Sequence, residues 1–97
     1  MTSYGEAERI LGHRESKKLG NNTYLERFDD DTIVIKLHST YVVTYCKNGD
    51  VILDSGGWQS KTTKDRINKY SPVGVHQKKR EWFLDDGREF FDRIIVR

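Results

Sequence analysis

Asn48-Gly49 lies between two runs of alternating side chains, TYVVTYC (40–46) and VILD (51–54). That combination constrains the fold more than any other feature of the chain. Asn and Gly tolerate the positive φ that a type I′ turn needs at both central positions, so a hairpin is expected with its turn at KNGD (47–50). Before the turn, Tyr41, Val43 and Tyr45 fall on one face and Val42, Thr44 and Cys46 on the other. TIVIKLH (32–38) sets Ile33, Ile35 and Leu37 against Val34, Lys36 and His38, and TYLERF (23–28) sets Tyr24, Glu26 and Phe28 against Leu25 and Arg27. A period of two in β-branched and aromatic residues belongs to half-buried strands. With the polar DDD (29–31) as a further turn, Thr23 to Asp54 reads as an antiparallel meander.

Beyond it the pattern changes. TTKDRINKY (62–70) reads as a short helix capped by Thr62 or Thr63, with Asp65 in the first turn, Ile67 and Tyr70 facing inward, and Ser71-Pro72 ending it. VGVHQ (73–77), EWFL (81–84) and EFFDRIIV (89–96) read as strands, with DDGR (85–88) as a second hairpin turn. At the other end, Ala7, Ile10 and Leu11 make a narrow apolar stripe that Gly5 and Gly12 weaken, and LGNN (19–22) is turn chemistry. The expected organisation is an N-terminal arm or weak helix over 1–18 and a single β-rich domain over 19–97. The fold class is α+β, β-rich: one curled antiparallel sheet, one short inserted helix and, if the N-terminal stripe folds, a second helix there.

A chain of 97 residues has room for one core, and with 35% apolar residues that core leans on its aromatic side chains. The net charge of +2 is unevenly spread. Between Gly57 and Arg80 stand Lys61, Lys64, Arg66, Lys69, Lys78, Lys79 and Arg80 against the single acid Asp65, a net of +6; the remainder has ten basic and fourteen acidic residues, a net of −4. Such a split makes an oriented field. The one cysteine, Cys46, cannot form an internal disulfide, and no Cys/His cluster has zinc spacing. No apolar run approaches the roughly 20 residues that span a bilayer, and the N-terminus lacks the apolar core of a signal peptide. A reducing cytoplasm and no membrane association are the expectation.

The densest stretch is SGGWQSKTTKDRIN (55–68). Gly56-Gly57 allows a sharp turn with successive N–H groups exposed, which can cradle an anion, and the free N–H groups of the following helix favour one as well. Ser60, Lys61, Thr62, Thr63, Lys64 and Arg66 supply phosphate-binding chemistry around it, and Trp58 supplies a flat ring. The order is not that of a P-loop. A plainer reading of the same residues is a turn, a helix cap and an indole folded over the core. A second basic stretch, HQKKREWF (76–83), sets Lys78, Lys79 and Arg80 before Trp82 and Phe83. Cations neutralise phosphates and exposed rings stack on unpaired bases; the plainer alternative is a hairpin turn followed by a core tryptophan.

Signals for catalysis are weak. His13, His38 and His76 have no metal-binding spacing, Cys46 falls inside a strand, and Asp29, Asp30 and Asp31 read as a solvated turn. A His38–Asp54 pair would need the fold to bring the two together. No catalytic residue, metal ligand or cofactor is therefore assigned.

KLGNNTYLER (18–27), YVVTYCKNGDVILDSGGWQSKTTKDRIN (41–68) and QKKREWFL (77–84) together resemble a group of small bacteriophage proteins that includes those of cyanophages and actinobacterial phages. The resemblance runs over residues 18–84 and is most specific at SGGW…TTKDRIN. It implies a viral protein acting in the cytoplasm of a bacterial host, and it supplies no catalytic residues. Two functional classes follow. One is a module binding nucleic acid or a nucleotide-like anion at the residues named above. The other is an inhibitor or modulator of a host enzyme or defence complex, in which Tyr, Trp and Arg would anchor the contact. A nuclease built on His38 and Asp54 ranks behind both. Finally, Ile94, Ile95 and Val96 cannot all face inward in one strand. The outward residue needs a second apolar surface, either the Ala7/Ile10/Leu11 stripe or a second copy in a homodimer.

Overall fold

The computed structural model describes residues 1–96. Helix α1 spans Tyr4–Leu11. Five strands follow as a meander: β1 (Ser16–Gly20), β2 (Thr23–Asp29), β3 (Thr32–Leu37), β4 (Thr40–Cys46) and β5 (Val51–Leu53). Helix α2 spans Lys61–Tyr70, β6 (Val75–Lys78) and β7 (Glu81–Leu84) form a separate two-stranded ribbon, and β8 (Ile94–Val96) returns to pair with β5. The main sheet is antiparallel throughout, in the order β1-β2-β3-β4-β5-β8. The α+β, β-rich reading is correct. The expected strands at 73–77 and 81–84 form, but they leave the sheet for a ribbon of their own. Of the expected strand 89–96 only Ile94–Val96 pairs with the sheet, while Glu89 bridges to Phe83.

Strand alternation gives the sheet two different faces. Leu25, Ile33, Ile35, Val43, Tyr45, Leu53, Ile94 and Val96 point inward and share one core with Ala7 and Leu11 of α1, Ile67 and Tyr70 of α2, and Val75, Trp82 and Leu84 of the ribbon. Both helices and the ribbon thus cover the same face. The N-terminal stripe is a formed helix, capped by the Ser3 hydroxyl on the Glu6 N–H; Ala7 and Leu11 join the common core, whereas Ile10 is exposed. The expected border at residue 18 falls within β1.

Register departs from simple alternation at one place. Ile35 pairs with Val43 but Lys36 pairs with Tyr41, so Val42 is an extra residue on β4. Such a bulge reverses the faces beyond it. Val42 goes into the core, and Tyr41, expected beside Val43, instead meets Phe28 edge-on with ring centres 5.8 Å apart.

The turns are correctly located but differ in type. At 47–50 only Gly49 has positive φ (102°), and its N–H donates to the Cys46 carbonyl at 2.9 Å. This is a three-residue loop with glycine in the left-handed position. The loop at 85–88 repeats it, with Gly87 at φ 99° donating to the Leu84 carbonyl at 3.0 Å. The two-residue turn with positive φ at both centres occurs at Lys79-Arg80 (53° and 68°), between the paired residues Lys78 and Glu81, where neither residue favours it.

Candidate ligand cleft beside the glycine turn

After β5 the chain turns at Gly56 (φ 63°) and Gly57 (φ 83°). A Cβ on Gly56 would lie 2.5 Å from Thr40 Oγ1 and 2.7 Å from its Cγ2, so this turn is pressed against the start of β4. That approach builds a cleft of about 470 Å³ between the β3–β4 turn and the N-terminus of α2. Leu37 and His38 line one side, Ser60, Thr62 and Thr63 the other, and Trp58 stands over it 74% exposed. The lining is neutral and rich in hydroxyls.

The sharp turn forms, but its N–H groups are not left for an anion. The Gly56 N–H donates to the Asp54 carboxylate (2.6 Å), the Gly57 N–H to the Ser55 hydroxyl (3.2 Å) and the Trp58 N–H to the Ser55 carbonyl (3.0 Å). Ser55 is itself held through its N–H (2.9 Å) and hydroxyl (2.6 Å) by one oxygen of Asp92. The helix start is also earlier than expected. Ser60, not Thr62 or Thr63, is the cap, accepting from the Thr63 N–H at 3.2 Å. Asp65 consequently lies past the first turn, which contains no acid. Lys61 is exposed and Lys64 half-buried; Arg66 donates through Nε to the Thr23 hydroxyl at 2.8 Å, tying α2 to β2.

The second basic stretch divides. Lys78, Lys79 and Arg80 are exposed at the ribbon tip, whereas Trp82 is 3% exposed and packs against Phe90 with ring centres 5.3 Å apart. Trp82 is a core residue and has no face for a base. The reason is register: Trp82 alternates with exposed Glu81 and half-buried Phe83, and the inward positions of β7 are Trp82 and Leu84.

The fold does not make a catalytic pair of His38 and Asp54. His38 lines the cleft, while the Asp54 carboxylate accepts from Gly56 and borders a separate cavity. Burial, with Asp50 and Asp29 nearby, pushes the Cys46 thiol up and away from its reactive form. Among the described residues, no group of three or more His, Cys, Asp or Glu side chains could hold a metal ion, and no helix is long and apolar enough to cross a membrane. A pairing not anticipated from the sequence joins His76 Nδ1 to Asp85 at 2.7 Å on the ribbon surface, with the imidazole stacked on Phe83. The cross-strand pairing of His76 with Phe83 explains it: Asp85, opposite Gly74 and two residues beyond Phe83, lies on the same face of the ribbon, diagonal to His76.

No curated protein and no solved structure matches the chain. One family does, and over more of the chain than the motifs at 18–84 suggest: its match begins inside α1 and runs through β8. Residues 6–97 match the family described as Kyanoviridae Gp96 protein, and the chain belongs to that family of cyanophage proteins.

Proposed function

We propose that this phage protein acts in the host cytoplasm as a binding module for single-stranded nucleic acid or a nucleotide-like anion, with Trp58 as the stacking platform. The observation that carries the reading is the 74% exposure of Trp58, which stands in the most basic segment of the chain and over a hydroxyl-lined cleft. An indole three-quarters exposed contributes little to the folded chain, yet its flat face can stack any base. His38 and the hydroxyls of Ser39, Ser60 and Thr62 then offer hydrogen bonds to the edge of that base. Because the turn N–H groups are occupied, phosphate contacts fall to the side chains of Lys61 and Lys64, and at greater distance along the chain to Lys78, Lys79 and Arg80. Side-chain cations neutralising phosphates release counterions, so affinity falls steeply with salt. Anisotropy titrations of labelled single-stranded and duplex DNA, RNA and free nucleotides at two salt concentrations test this. Single-stranded ligands are expected to bind best and to weaken at the higher salt. Absence of binding to every ligand at low salt would refute the reading.

The second reading, a modulator of a host enzyme or defence complex, is favoured by a different observation. The outer flank of β8 is a sheet edge, and beside it lies an open groove lined by Arg88, Glu89, Arg93, the exposed Phe91 and Ile95. Arg88 is paired with Asp86 and donates to the Ile95 carbonyl, so the groove offers a partner mainly the apolar Phe91 and Ile95 with Arg93 beside them. A host protein retained after nuclease treatment, and lost on Phe91→Ala, would support this reading; retention only in the presence of nucleic acid would oppose it.

A further inference from the structure

From the tip of the β6–β7 ribbon we infer a second nucleic-acid contact, independent of Trp58: the Lys78-Lys79-Arg80 turn docks end-on in the major groove of duplex DNA and holds the phosphates of its walls. The backbone of the turn points to this. Lys79 (φ 53°) and Arg80 (φ 68°) both occupy the left-handed region, which a residue with a Cβ resists and which Asn-Gly adopts readily. Elsewhere the chain respects that preference, with glycine at the left-handed position of the loops at 47–50 and 85–88. At the ribbon tip two cations stand where local preference asks for Asn-Gly. Departures of this kind concentrate at functional sites.

The surroundings anchor the tip and leave its charge free. Val75, Trp82 and Leu84 fix the ribbon in the core, and the Asn68 side chain accepts from the Val75 N–H at 2.6 Å. Beyond Trp82 and its partner Gln77 only Lys78, Glu81 and the turn remain, all of them exposed. Among the described residues Lys78, Lys79 and Arg80 take part in no ion pair, and Glu81, across from Lys78, is the one acid at this end. Asp85 and Asp86 stand at the other end of the ribbon, engaged by His76 and Arg88. Three cations against one acid favour a polyanion. Shape selects the duplex. Two strands about 4.8 Å apart make a tip narrow enough for the major groove, which is about 12 Å wide and admits a two-stranded ribbon. Phosphates line both walls of that groove and meet the tip from either side, whereas an acidic peptide or a single strand presents its charge along one line. Contacts to phosphate position a protein without reading bases, so this binding is indifferent to sequence.

Anisotropy of a labelled DNA duplex, titrated with the full chain at two salt concentrations, tests the inference. The native chain is expected to bind at the lower salt and to weaken as salt rises. The double variant Lys79→Asn/Arg80→Gly forms the same turn with less strain, so its melting temperature is expected to rise by about 5 °C or more. Its duplex affinity should nonetheless fall about tenfold, and the slope of log affinity against log salt should shrink by about 2. Lys79→Gln/Arg80→Gln, which keeps long side chains without their charge, should lose as much affinity. Trp58→Ala should bind duplex as the native chain does. No duplex binding at the lower salt, duplex affinity unchanged in Lys79→Asn/Arg80→Gly, or duplex affinity lost in Trp58→Ala would each overturn the inference. So would polyglutamate that displaces the labelled duplex as well as unlabelled duplex does. Binding of duplex through the tip with no binding of single strands would support this contact while refuting the stacking role of Trp58.

Discussion

The hydroxyl of Tyr45, at the centre of the sheet, donates a hydrogen bond to the main-chain carbonyl of Tyr70, the last residue of α2. Tyr45 is fully buried, and the Met1 carbonyl lies 3.4 Å from the same oxygen. One phenol thus ties the sheet to the end of α2 and touches the chain before α1. The end of α2 leaves its last carbonyls without helical partners, and the buried phenol supplies one.

Tyr45→Phe should remove this bond without a cavity, at a cost of about 1–2 kcal/mol. For a domain of this size that lowers the melting temperature by about 4–8 °C per kcal/mol. Burial, with Tyr70 and Glu6 adding to it, pushes the Tyr45 phenol well above its ordinary value near 10. The native state therefore keeps the proton after the unfolded state has begun to lose it. Stability from this group is complete below about pH 10 and falls as pH rises above it, by at most about 1.4 kcal/mol per pH unit. Thermal denaturation between neutral and alkaline pH is expected to show that fall in the native chain and a shallower one in Tyr45→Phe.

Gly56→Ala and Gly57→Ala separate packing from backbone conformation. Both glycines have positive φ, but a Cβ on Gly57 meets nothing within 4 Å, while one on Gly56 runs into Thr40. Gly57→Ala should cost about 1 kcal/mol, the conformational part alone. Gly56→Ala should cost about 1–3 kcal/mol more through the clash, and should shift the backbone resonances of Thr40.

Asp92→Ala should loosen the turn from a distance. It leaves the buried Ser55 N–H and hydroxyl without their acceptor, a loss of about 1–3 kcal/mol. Asp92→Asn retains an amide oxygen at that position and is expected to stay close to the native stability. Urea denaturation of the two variants side by side checks the difference.

The two tryptophans should respond in opposite ways. Trp82→Ala removes a core side chain packed on Phe90 and should destabilise the fold by about 3–5 kcal/mol. Trp58→Ala should change stability by no more than about 0.5 kcal/mol, because the indole is exposed. Melting curves of both variants decide this.

What could be read from the sequence was the part governed by local periodicity. The meander, the helix ending at Tyr70 and the sites of both glycine loops follow from alternation and turn chemistry. The side on which Tyr41 lies was not legible, because the bulge at Val42 depends on how β4 meets the core. The self-satisfied turn was partly legible: Asp54 two residues before Gly56 is the spacing of an Asx turn. Asp92, thirty-seven residues away from Ser55, carries no such signal. The strand triplet 94–96 followed the alternation argument, with Ile94 and Val96 inward and Ile95 outward. Its partner differed. Ala7 and Leu11 of the N-terminal stripe went to the inner face, and Ile95 lies across from Ile52 on the outer one.

Steady-state fluorescence of the full chain, titrated with a single-stranded oligonucleotide at low salt, tests the central claim most directly. Trp58 and Trp82 are the only tryptophans, one exposed and one buried, so a base stacked on Trp58 must quench the solvent-exposed part of the emission and leave the buried part. The expected result is saturable quenching of that component, reversed by added salt and absent in Trp58→Phe, whose emission comes from Trp82 alone. Emission that does not change at any oligonucleotide concentration, or quenching that persists equally in Trp58→Phe, would contradict the assignment of Trp58 as the platform.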